Sequence, residues 1–114
     1  MRERGHFSNI FSLRPIKEIE VSDTGLTVTQ CGKKYKFDWP EVNSACIVMK
    51  DRYKSYGTGT AAKFIQKTFI IKMPDKTFMF DVSTNFPDFK NNDQLLRLLG
   101  EYLQIEVIDK RKLR

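Results

Sequence analysis

The sequence predicts a mainly β domain with an α component: an antiparallel barrel or sandwich of six to seven strands, capped by a C-terminal helix. Three observations carry this reading. Apolar and polar residues alternate with a period of two through most of the chain up to residue 83. Turn residues rich in glycine, aspartate and asparagine interrupt the alternation at short intervals. From residue 95 the period changes, and leucines recur at i, i+3 and i+4.

The first strands lie in IKEIEVSDTGLTVTQ. Ile19 and Val21 alternate with Glu18, Glu20 and Ser22, and Leu26 and Val28 alternate with Thr27 and Thr29. The SDTG between them supplies a turn, with Asp23 able to accept backbone amides and Gly25 free to take positive φ. A hairpin with one wet face follows. Gly32 marks the next reversal. In KKYKFDW, Tyr35, Phe37 and Trp39 share one face and Lys34, Lys36 and Asp38 the other. Trp39 is therefore expected to anchor the core, and Pro40 to end the strand because it has no amide to donate.

After the PEVN turn, SACIVMK reads as a central strand. Residues 50–67 break the pattern and read as a mobile loop with a YGTGT tip. KFIQKTFIIKM returns to strand, with Ile65, Phe69, Ile71 and Met73 at compatible spacings. PDK is a tight turn, and TFMFDVS places Phe78, Phe80 and Val82 on one face. The helix is expected over 92–103, with Leu95, Leu98, Leu99 and Tyr102 on its stripe, Asn92 as N-cap and Asp93 in the first turn. Gly100 inside it suggests close packing. The tail QIEVIDKRKLR has room for one short extended segment.

The chain of 114 residues is expected to form one domain, large enough to bury roughly two-thirds of its unfolded surface. It divides into an N-terminal segment (1–15), the barrel with its helix (16–104) and a basic tail (105–114). Apolar residues make up 40% and charged residues 30%, a globular rather than a disordered balance. No apolar run approaches the roughly 18 residues of a membrane-spanning helix. The opening MRERGHFSNIFSLRP makes a poor signal peptide, because Ser8, Asn9 and Ser12 break its apolar part. Cys31 and Cys46 are expected as buried thiols in strands, in a reducing, cytoplasmic setting.

The rhythm EIEVSDTGLTVTQCGKKYKFDWPEVNSACIV resembles bacterial pleckstrin-homology-like domains over roughly residues 16–104. The carriers are an apolar strand pair leading to Trp39, then Glu41 and Val42, and a helix from Asn92 to Leu103 placed as the cap. The resemblance implies a partly open barrel used as a binding scaffold, with ligands or proteins engaging its inter-strand loops. Some relatives bind phosphoinositides through a basic pocket between early strands, but SDTG has no lysine or arginine. Other relatives follow transmembrane helices, which this chain does not contain.

Little in the sequence points to catalysis, and no enzyme activity or cofactor is expected. His6 is the single histidine, and no base is positioned beside a nucleophile. Glu18 and Glu20 fit a wet strand face. GTGTAAK lacks the spacing of a phosphate loop. No Cys/His spacing indicates a metal.

The net charge of +6 favours anionic partners and also serves solubility. The candidate site is the segment 50–67. Lys50, Arg52, Lys54, Lys63 and Lys67 stand against Asp51, a net of +4, with Tyr53 and Tyr56 interleaved. Cations beside aromatics suit an anionic protein or a lipid surface, the latter giving peripheral attachment at the inner face of a membrane. The second basic run, Lys110, Arg111, Lys112 and Arg114, does not make a nucleic-acid surface. The functional expectation is a noncatalytic binding module for a protein or anionic ligand. The alternative is a self-assembling domain joined through Phe7, Ile10 and Phe11, whose spacing suits a short helix packed on the barrel, a dimer contact or an interfacial anchor.

Overall fold

The computed structural model describes residues 4–9, 15–55, 61–84 and 87–111, and of 54, 55, 61 and 62 it describes the backbone alone. Four strands form the first sheet in sequence order: β1 (Gly5–Ser8), β2 (Ile16–Val21), β3 (Gly25–Gln30) and β4 (Lys33–Asp38). The second sheet contains β5 (Ser44–Ser55), β6 (Ala61–Lys72), β7 (Thr77–Asp81) and β8 (Ile105–Asp109), in the order β7-β6-β5-β8. One helix, α1 (Asn92–Tyr102), precedes β8.

The strand count is eight, not six to seven, and among the described residues no ladder joins the sheets into a closed barrel. The two additional strands come from the flanking segments. Phe7 lies on β1 rather than on a helix, and it is buried. Ile10 and Phe11 lie outside the described residues. The tail supplies β8, which runs parallel to β5.

The alternation sorts residues as the sequence suggests. Ile19, Val21, Leu26 and Val28 are buried, while Lys34, Lys36 and Asp38 are exposed. From the second sheet Phe69, Ile71, Phe78, Phe80 and Val82 enter the same core. Aromatic rings bridge the sheets, with Phe78 5.7 Å from both Tyr35 and Phe37.

The turns use different chemistry from that expected. In the β2–β3 turn Ser22, not Asp23, accepts the Gly25 amide, at 3.2 Å. Gly25 does not have positive φ; its Cβ would lie 2.0 Å from the Phe37 carbonyl oxygen, so close strand approach requires the glycine. At the β3–β4 reversal Cys31 and Gly32 both have positive φ, 51° and 79°. Such a two-residue connection matches the strand twist. Cys31 is thus exposed in a turn, and Cys46 is only partly buried; neither is the fully buried thiol expected.

Trp39 begins a single 3-10 turn, Trp39–Glu41, rather than ending the strand face. It is half-buried against the core. Its Nε1 donates to the Ser22 carbonyl at 2.9 Å, and its ring stacks on Tyr102 at 4.6 Å with planes 6° apart. The Asp38 amide donates to the Glu41 carboxylate at 2.7 Å, closing the turn.

Leu95, Leu98 and Leu99 of α1 are fully buried, each contributing about 1.5–3 kcal/mol of burial. Asn91 is the N-cap, while Asn92 donates through Nδ2 to the Val82 carbonyl at 2.8 Å. Gly100 faces outward, and a Cβ there would meet only Ile105 Cδ1 at 4.0 Å. Close packing is not its role.

Leu99→Ala is expected to cost about 2–5 kcal/mol in chemical denaturation. Gly100→Ala should stabilise by up to about 1 kcal/mol, because the gain in helix propensity meets no clash. Trp39→Phe should lose about 0.5–1.5 kcal/mol with the indole hydrogen bond. A Trp39→Phe stability equal to wild type would show that bond to be idle.

Candidate functional site

Residues 50–55 and 61–67 of the expected loop are strand. They form the distal halves of β5 and β6, which pair continuously from Ser44↔Lys72 to Ser55↔Ala61. The tip, 56–60, which includes Tyr56, lies outside the described residues. β7 pairs only with Thr68–Lys72 of β6, and β8 only with Ala45–Met49 of β5. Beyond those points the two strands continue as a ribbon with no neighbouring strand among the described residues. The molecule measures 50 × 32 × 28 Å. Its radius of gyration is 15.2 Å, against about 13 Å for a compact domain of this length, and the projecting ribbon fits that excess.

Strand geometry divides the expected basic cluster. Successive side chains leave opposite faces, and register aligns the partners. Lys50 and Arg52 share one face with their partners Gln66 and Phe64. Tyr53 and its partner Lys63 lie on the other, as do Met49 and its partner Lys67. The five cations are therefore not one patch. Lys54 pairs with Ala62 through its backbone.

Some of the charge is also committed. Arg52 Nε donates to Gln66 Oε1 at 2.5 Å, and Gln66 Nε2 donates to Asp81 Oδ2 at 3.1 Å. Asp81 Oδ1 also accepts the Ser83 amide at 2.8 Å, so this chain of bonds ties the ribbon base to the segment after β7. Lys63 Nζ lies 3.5 Å from Asp51 Oδ1. Tyr53 is 59% exposed and Ile65 37%, on the face that also carries Lys63 and Lys67.

A second constellation lies on the outer face of the first sheet. β1 pairs antiparallel with β2, placing His6 opposite Glu20 and Ser8 opposite Glu18. His6 Nε2 is 3.4 Å from Glu18 Oε2 and 3.9 Å from Glu20 Oε1. The three donor atoms all lie within 4.8 Å of one another. His6 thus has the fixed partners that the sequence did not reveal. The signal was weak because β1 is four residues long and the carboxylates beside it are on another strand.

At the end of β8, Arg111 makes two side-chain bonds to Asp109, Nε to Oδ1 at 2.9 Å and Nη2 to Oδ2 at 2.6 Å. The Arg111 amide adds a third, at 3.0 Å. Part of the basic tail is therefore paired; Lys112 and Arg114 lie outside the described residues. An open hollow lies between residues 42–45 and 103–106. No helix among the described residues is long and apolar enough to cross a membrane.

The chain matches no protein-family model, curated protein or solved structure.

The Arg111 hydrogen bonds hold Asp109 down to about 2, from an ordinary 3.8. A depressed carboxyl stabilises the fold above its unfolded value, and that contribution is lost as pH falls from about 4 towards about 2. An NMR titration should place the Asp109 midpoint near 2. Arg111→Gln should raise it only part of the way to the ordinary carboxylate range, because the backbone amide of residue 111 still donates to Asp109.

Proposed function

We propose that this chain is a noncatalytic binding module of the pleckstrin-homology-like type, and that the β5–β6 ribbon contacts an acidic, extended protein segment. The observation that carries this reading is the ribbon itself. Twelve-residue strands extend well past the sheet that supports them, and beyond Met49 and Lys67 neither has a second strand neighbour among the described residues. An isolated two-stranded ribbon is marginal in water, and it gains most by adding a strand or docking a surface. Exposed Tyr53 and Ile65 beside Lys63 and Lys67 offer an amphipathic face for that purpose.

Cations on both faces favour an extended chain over a planar lipid surface, which meets one face at a time. Lysines along an open edge also oppose pairing between identical ribbons. The partner is thus of opposite charge rather than a second copy. Phe7, the described member of the N-terminal aromatics, is buried in its own core. The fold-level reading draws support from the order of elements: two small antiparallel meanders, then a helix that packs its leucines into the core.

The test is fluorescence anisotropy of a labelled polyglutamate peptide at low and physiological salt. Wild type should bind weakly at low salt, and binding should fall as salt rises. Replacing Lys50, Arg52, Lys63 and Lys67 by glutamine should remove it. So should replacing residues 52–64 with Asn-Gly, which joins the paired positions Asp51 and Ile65 through a two-residue turn. Tryptophan fluorescence verifies that both variants fold. Flotation with phosphatidylserine vesicles supplies the contrast: vesicle binding without peptide binding would replace the protein partner with a lipid surface. Unchanged peptide binding in both variants would remove the ribbon from the site.

A further inference from the structure

We infer that His6, Glu18 and Glu20 form a site for a first-row divalent metal ion of the zinc class. The ligands come from two paired strands, so the backbone sets their spacing. His6 is directly opposite Glu20, and Glu18 is two residues along β2 on the same face. Zinc bonds of about 2.0–2.2 Å in tetrahedral geometry place ligand atoms roughly 3.3–3.6 Å apart. The His6–Glu18 separation of 3.4 Å already meets this, and His6–Glu20 at 3.9 Å needs a small swing of the Glu20 carboxylate. Side chains about half exposed have that freedom.

The donor set is one imidazole nitrogen and two carboxylate oxygens. Imidazole selects zinc, copper, nickel and related ions over calcium or magnesium. Two carboxylates make the bound complex neutral. The β3 residues paired with the two glutamates are uncharged. On the same outer face Glu20 pairs with Thr27 and Glu18 with Thr29, and Lys36 and Lys34 come one strand further away, opposite those threonines. A hollow lined by Arg4, Gly5, His6, Glu20, Val21 and Ser22 opens beside the cluster and gives water access to a fourth coordination position. Arg4, which also lines it, lies 3.5 Å from Asp23.

The ion would fasten β1 to β2. β1 is short and pairs with β2 alone in the sheet. Its Gly5 lies so close to α1 that a Cβ would be 2.6 Å from Leu98 Cδ1. Fixing β1 therefore also holds the strand that the helix packs against.

Because His6 is the chain's single histidine, its imidazole signals report on the site alone. The experiment is a zinc titration followed by 15N-correlated NMR of the imidazole, with the cysteines reduced. Saturable one-to-one movement of the Nε2 resonance is expected, reversed by a chelator, together with slower amide exchange in β1. Glu18→Gln and Glu20→Gln should each weaken binding by roughly tenfold or more, since even residues that merely support metal ligands are commonly worth about 10- to 100-fold. Both substitutions are on an exposed face, and an unchanged amide spectrum verifies the fold. An imidazole that does not move with excess zinc overturns the site, including the case in which zinc binds at the thiols. Movement that both glutamine variants leave intact also overturns it, because the histidine would then be acting alone.

Discussion

Phe78 holds together two sheets that share no ladder among the described residues. It projects from β7 in the second sheet and meets Tyr35 and Phe37 from β4 in the first, at 5.7 Å in each case. A closed barrel would use backbone hydrogen bonds at this seam. Here the join is made by ring edges and faces, which gain both burial and a geometric preference. The same method recurs nearby. Phe80 stacks on Phe69 at 5.2 Å and meets Phe89 edge-on at 5.3 Å. Trp39 stacks on Tyr102, joining the end of the first sheet to α1. Phe7, Phe69, Phe78, Phe80 and Phe89 lie in the core, with Phe37 packed against it, and they bridge layers rather than fill one.

This construction leaves the second sheet free to be longer than the first. Core packing needs only the proximal halves of β5 and β6, where Ala45, Phe69 and Ile71 are buried. Past Met49 and Lys67 the strands lose their flanking strands among the described residues. Charged residues then occur on both faces, beside Phe64 on one and Tyr53 and Ile65 on the other, with Gln66, Arg52 and Asp81 linked at the base. The proposed binding role rests on this separation between a half that carries stability and a half that is free to make contacts. The zinc-class site lies on the other sheet, so the two proposals stand independently.

Much of the fold was legible because one face of each strand meets the core. Ile19, Val21, Leu26 and Val28 gave β2 and β3, and Leu95, Leu98 and Leu99 gave the helix. The ribbon was not legible as strand for the converse reason. Residues 50–55 carry no period-two apolar signal, and the glycines that follow read as loop. β1 was missed because four residues are too few to show a period. The site was legible in composition but not in arrangement: Lys50, Arg52, Lys63 and Lys67 were found, and their division between two faces depends on the β5–β6 register. Cys31 read as strand because the sequence does not show that its own φ is positive.

The parallel pairing of β5 with β8 has a consequence for the order of folding. Every other described ladder joins strands adjacent in the sequence. The β5–β8 ladder instead joins Ala45 to Ile105, across β6, β7 and the helix. Closing that span costs chain entropy that the local hairpins do not face, so β8 is expected to pair after them. Until then one flank of β5 is open along its whole length, not only in the ribbon. During synthesis on the ribosome, this is the interval in which a nascent chain exposes an unpaired strand edge to its neighbours.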